Sequence, residues 1–179
     1  MEDPLSDDLR ERLRKVQLLI MDCDGVLTDG RIIPLSETDE TKFFDVKDGH
    51  GMRMAGRAGV KTAIISGRKS FAVRARAKDL GITHLHEAAF VKIPPYEEIL
   101  AKEALTDEAV CFVGDDVTDI PLMRRAGLAI AVADAVDDVK EYAHLVTRRS
   151  GGRGAIREII ELILREQGKW AGAMERYLG

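Results

Sequence analysis

Residues 16–25, VQLLIMDCDG, decide how the chain is read. The first six form a short, nearly continuous apolar run, the pattern of a central parallel strand covered on both faces. The run stops at Asp22-Cys23-Asp24-Gly25, so two carboxylates and a glycine follow directly on a buried strand. In open α/β sheets the ligand site forms beyond the carboxyl ends of the strands, which makes this boundary the place to look for chemistry.

Working outward, residues 31–35 and 41–46 read as two extended stretches around a polar connection, a hairpin projecting from the core over about 31–46. Residues 51–58 have a helical pattern, with Gly59 as its terminator. From residue 60 the chain alternates strand and helix: VKTAIIS, FAVRARAKDLG, THLHE, PPYEEILAKEAL, AVCFVGD, DIPLMRRAG and LAIAV. Such alternation predicts an α/β fold, a Rossmann-like parallel sheet with helices on both faces and right-handed crossovers. A short helix at 136–143, a last strand at 144–147, a Gly-rich turn at 150–154 and an apolar-periodic helix from 155 complete the pattern. In the tail, 169–179, Trp170, Met174, Tyr177 and Leu178 recur at roughly helical spacing, suited to docking on this chain or on a partner subunit.

The 179 residues are 45% hydrophobic and 32% charged, which with no internal repeat or linker predicts a single domain over 1–179. No apolar run reaches the roughly 20 residues needed to cross a bilayer, and the first residues lack the apolar stretch of a secretory signal. A cytoplasmic protein without membrane partners is expected. The net charge of −4 argues against nucleic-acid binding, which usually leaves a basic footprint. Cys23 and Cys111 sit in apolar strand segments and read as buried thiols, neither paired nor metal-bound.

Three further strand ends carry polar groups: Ser66-Gly67-Arg68, the loop holding Lys92, and Gly114-Asp115-Asp116 with Asp119 just behind. Several carboxylates gathered at one sheet edge repel one another unless a cation neutralises them. Oxygen donors without a Cys or His cluster favour Mg²⁺ over zinc, and Mg²⁺ commonly shares its coordination with a substrate phosphate.

The residues at 22–26, Ser66, Lys92 and 114–119 resemble the four ordered motifs of the haloacid dehalogenase superfamily. Within it the closer likeness is to the octulosonate 8-phosphate phosphatases, carried by DCDGVLTDG at 22–30, VKDGHG at 46–51, IISGR at 64–68, GITHL at 81–85, 113–119 and SGGRG at 150–154. The resemblance implies a Mg²⁺-dependent phosphatase for a small phosphorylated sugar acid, placed in lipopolysaccharide precursor synthesis. It implies that Asp22 attacks phosphorus and ligates the metal, that Asp24 is the acid/base and lends its backbone carbonyl, and that Asp115 completes the protein ligands. Asp119 supports them from behind, Asp116 has no assigned role, and Ser66, Gly67, Arg68 and Lys92 hold the phosphoryl group or substrate. The competing structural readings are a Ser66 that only caps its turn, a solvated Lys92, and an Arg68 that belongs to a basic helix face with Lys69, Arg74, Arg76 and Lys78. His50, His84, His86 and His144 show no catalytic spacing.

Many superfamily members carry a large cap domain. Here only the hairpin and one helix separate the first two motifs, and a helix and a strand the next two, so the chain reads as capless. The resemblance then implies a homotetramer whose hairpins and C-terminal segments cover neighbouring sites. The stretch at 86–91, HEAAFV, departs from the polar, glycine-bearing pattern of the relatives, which keeps a nonulosonate 9-phosphate open as the substrate. A receiver-type signalling domain that accepts phosphate on aspartate would share the sheet and the Mg²⁺, but not an acid two residues beyond the acceptor.

Overall fold

The computed structural model describes residues 5–36 and 40–178. Its centre is a six-stranded parallel sheet. The strands in chain order are β1 (Leu18–Met21), β4 (Lys61–Ile65), β5 (His84–His86), β6 (Val110–Gly114), β7 (Leu128–Ala131) and β8 (Leu145–Val146), arranged β5-β4-β1-β6-β7-β8. β1 lies in the middle, flanked by β4 and β6, and all four of its residues are buried. The same holds for the apolar β6 and β7. Both faces of these strands are therefore covered, as their unbroken apolar runs require.

The small second sheet is the hairpin, β2 (Ile33–Pro34) with β3 (Glu40–Thr41), extended by an isolated bridge between Thr28 and Phe44. It is shorter than the two stretches read from sequence, and its turn, 37–39, lies outside the described residues. The second arm ends early because Asp45 caps a helix: its carboxylate accepts from the Lys47 N–H at 2.6 Å, and α2 (Val46–Arg57) starts there. The sequence pattern predicts this helix only from residue 51, because the glycines at 49 and 51 weaken the local propensity; the cap and tertiary packing override it.

α2 is fixed by α7 (Ala155–Glu166), whose Ile156, Ile159, Ile160, Ile163 and Leu164 are buried. Each such side chain contributes on the order of 1.5–3 kcal/mol of burial. Buried Asp48 of α2 adds a polar tie, accepting the N–H of Gly154 at 3.1 Å and of Arg157 at 2.7 Å. An N-terminal helix not read from the sequence, α1 (Asp7–Lys15), is capped by Ser6 and buries Leu9 and Leu13.

The remaining helices are α3 (Phe71–Leu80), α4 (Ile93–Glu103), α5 (Ile120–Met123), α6 (Asp137–Lys140) and α8 (Trp170–Leu178). The tail docks on its own chain: Trp170 lies under the guanidinium of Arg165 at 4.4 Å, and the Tyr177 hydroxyl accepts from Arg57 at 2.7 Å. No described helix is long and apolar enough to cross a membrane. Both cysteines are buried and free.

Candidate active site

Asp22 follows β1 directly and its N–H donates to the Val113 carbonyl of β6, so the sheet itself sets its position. The chain then turns sharply. Gly25 adopts φ +96°, where a side chain is strained, and a Cβ there would lie 2.0 Å from Asp115 Oδ2. The motif glycine is therefore what lets the first and fourth segments meet.

Lys92 stands at the entrance of α4, buried to 5% exposure, with its Nζ 2.5 Å from both Asp22 Oδ1 and Asp119 Oδ1. The surface reading of this lysine does not hold. Burial opposes its charge, yet the two carboxylates outweigh that and raise its pKa above the ordinary lysine value. Asp119 is fully buried, and its Oδ2 accepts the Asp115 N–H at 2.9 Å, so both of its oxygens are engaged. Gly114 is needed for this approach, because a Cβ there would meet Asp119 Cβ at 2.5 Å. Asp116 is exposed at the edge of the site and caps the 117–119 turn by accepting the Val117 N–H.

Ser66, after β4, is 2% exposed; its Oγ accepts the Arg68 N–H at 3.2 Å, which leaves the hydroxyl hydrogen available to the cavity. It caps its turn and lines the site at once. Together Asp22, Asp24, Ser66, Gly67, Arg68, Lys92 and Asp115 line a cavity of about 220 Å³, joined by Ala89, Phe90, Asp116 and Thr118. Every residue given a catalytic, substrate or metal role from the sequence lines this cavity, and Asp119 lies behind it.

The electrostatics of this cavity are unbalanced. Carboxylate oxygens of Asp22, Asp115 and Asp119 lie within 4.8 Å of one another, around the single ammonium of Lys92. Burial pushes the Asp115 carboxyl up to about 8, with the charges of Asp22 and Asp119 adding to it. Burial likewise raises Asp22 to about 7 against the pull of Lys92. A hard divalent cation relieves this strain, and the donors are all oxygens, since no Cys or His lines the cavity. The residues thus fit Mg²⁺, with Asp22 and Asp115 facing the space it would take.

The Asp24 carboxylate is not part of that cluster. It turns instead to Lys42 of the hairpin, whose fully buried ammonium also lies 2.8 Å from Glu40 Oε1. Burial acts against the Lys42 charge, but the bonds from Asp24 and Glu40 outweigh it, and its pKa is raised. Glu40 Oε2 in turn accepts from Arg68 at 2.6 Å. Neither hairpin residue was singled out from the sequence; the available signal was Glu40 and Lys42 alternating with Thr41 and Phe43 along one strand. Arg68 belongs to this network, whereas Arg74 and Arg76 pair with Glu87 and Asp79 on the surface. The four histidines lie outside the cavity, and His144 accepts the Ala129 N–H at 2.9 Å as a structural group.

This arrangement has close counterparts. Residues 90–159 match the haloacid dehalogenase-like hydrolase model. The 3-deoxy-D-manno-octulosonate 8-phosphate phosphatase of Yersinia pestis is 44% identical over 170 residues, 95% of this chain and 91% of that protein. A probable YrbI family phosphatase from Pseudomonas syringae superposes with a TM-score of 0.94 at 46% identity, over 97% of this chain and 99% of the other. The Moraxella catarrhalis 3-deoxy-D-manno-octulosonate 8-phosphate phosphatase, solved with magnesium, phosphate and KDO, superposes with a TM-score of 0.92 at 34% identity, covering 96% and 98% of the two chains. With such likeness along nearly its whole length, and an acidic cavity suited to Mg²⁺ at the sheet edge, the chain belongs to the 3-deoxy-D-manno-octulosonate 8-phosphate phosphatase family of haloacid dehalogenase-like hydrolases.

Proposed function

We propose that the chain hydrolyses 3-deoxy-D-manno-octulosonate 8-phosphate to the free sugar acid and inorganic phosphate, a step of lipopolysaccharide precursor synthesis in the cytoplasm. The observation that carries the mechanism is Asp22: one oxygen is held at 2.5 Å by buried Lys92, and no hydrogen bond among the described residues falls on the other. That free oxygen attacks phosphorus. As the bond between phosphorus and the sugar oxygen breaks, Asp24 gives its proton to the departing oxygen, leaving an acyl phosphate on Asp22. Asp24 then takes a proton from a water molecule, whose oxygen attacks the same phosphorus. Phosphate leaves and the Asp22 carboxylate is restored.

Ser66 Oγ–H and the Lys92 ammonium neutralise the phosphoryl oxygens where charge gathers. Asp22 and Asp115 would hold a Mg²⁺ ion, which would supply the remaining positive charge against the phosphoryl oxygens. Arg68, held by Glu40 on the cavity wall, stands where the sugar acid would lie, and Asp119 fixes Lys92 and the Asp115 backbone. The exposed apolar side chains of the hairpin, Ile32, Ile33, Leu35 and Phe43, support a homotetramer in which this surface is covered.

The test is phosphate release with Mg²⁺ from a panel of the octulosonate 8-phosphate, nonulosonate 9-phosphates and common sugar phosphates. Preference for the octulosonate is expected. Phe90, 83% exposed on the cavity wall, lies in the stretch that departs from the relatives, so preference for a nine-carbon acid would keep the mechanism and replace the substrate. Undiminished turnover by Asp22→Asn would overturn the mechanism.

A further inference from the structure

Glu40 and Lys42 are two residues apart on the hairpin's second arm, so their side chains leave the same face. That face turns inward. A continuous line of charge results, running from Arg68 after β4 through Glu40 and Lys42 to Asp24 after β1. The Lys42 side chain is completely buried, and it is absent from the cavity wall, so its ammonium acts on Asp24 and does not reach the substrate. We infer that Lys42, oriented by Glu40, is a positioning residue that tethers one oxygen of Asp24 and thereby aims the other at the leaving group. The inference rests on the reading of Asp24 as the acid/base.

Burying an ammonium carries a heavy desolvation penalty, which an anchor made of apolar side chains would avoid. A charge at this position is justified where there is another charge to be held. Asp24 sits on a turn and keeps 19% of its side chain exposed, so without a tether it samples several rotamers. Its bond to Lys42 occupies Oδ1 and leaves Oδ2 for the proton that passes first to the sugar oxygen and later from water. Displacement of a catalytic group by about 1 Å costs on the order of a hundredfold in rate.

A purely structural role for the hairpin lysine predicts something different, and leaving groups tell the two apart. An alkyl phosphate needs its departing oxygen protonated, whereas p-nitrophenolate leaves without help. The ratio kcat/KM reports the steps up to the first irreversible one, the departure of that group. In Lys42→Met we expect kcat/KM for an alkyl phosphate to fall about a hundredfold, and for p-nitrophenyl phosphate by a few-fold at most. Glu40→Gln should shift the same ratio in the same direction by less, and it decides the matter alone if Lys42→Met does not unfold cooperatively. Equal losses on both substrates would overturn the inference. Asp24→Asn serves as the reference: full activity on the alkyl ester would overturn the acid/base reading itself. Selectivity in Asp24→Asn, with Lys42→Met and Glu40→Gln like wild type, would overturn only the tether.

Discussion

Asp22, Asp115 and Asp119 cluster around one ammonium that bonds only Asp22 and Asp119, and that imbalance sets what single substitutions do. Removing Lys92 leaves buried carboxylates with no counter-charge, a loss of about 3–5 kcal/mol for a buried pair broken on one side. Lys92→Met should therefore unfold at markedly lower denaturant in the presence of a chelator; a midpoint unchanged from wild type would show that the carboxylates relax without it. The same imbalance predicts that Mg²⁺ stabilises the protein. At a hundred times Kd the gain is about 2.7 kcal/mol, read as a rise in Tm, and Asp115→Asn should shrink it at equal Mg²⁺. These residues were legible because each follows a strand on a sheet edge, where topology alone brings them together. Lys42 and Glu40 were not, since no sheet rule says where a hairpin's inner face will point, and only the folded chain brings Lys42 to Asp24.

At the scale of elements, the pairing of α2 with α7 includes a buried carboxylate, Asp48 of the VKDGHG stretch, that takes no part in the cavity. Asp48 is 1% exposed and accepts two backbone N–H groups at the start of α7. Burial raises its pKa from 3.8 to about 6, against the opposing bonds from Arg157 and Gly154. A carboxyl whose folded pKa exceeds its unfolded value stabilises the fold fully below the unfolded value, and loses that contribution as pH rises through the folded one. Here the window runs from about pH 4 to pH 6. Asp48→Asn cannot titrate, so its deficit against wild type should be larger at pH 4 than at pH 7, by about 2 kcal/mol. Denaturant titrations at the two pH values check this, and parallel behaviour of the two proteins would contradict it. The start of α2 illustrates why such links escape a linear reading. The glycines at 49 and 51 argue against a helix locally, while the Asp45 cap and the α7 partner that enforce it lie outside the helix itself.

Across the whole molecule, the alternation of apolar strands and helices made the parallel sheet legible, but not its order: β1 sits between β4 and β6, a consequence of crossovers that leave no periodic trace. What periodicity also left open is the hairpin's outer face. Along its second arm Phe43 is 61% exposed beside a Lys42 whose side chain has no exposure, so one extended arm carries an apolar side chain outside and the charged tether inside. If neighbouring subunits cover that apolar face, assembly also orders the arm that holds Asp24. Phe43→Asp places a charge on the covered side without touching the tether, and desolvating it in an interface is costly. The expected result is dissociation by light scattering, together with the selective loss on alkyl phosphates and the spared turnover of p-nitrophenyl phosphate. A variant that dissociates yet treats both substrates as wild type does would separate assembly from catalysis, and one that remains assembled would place the interface on another face.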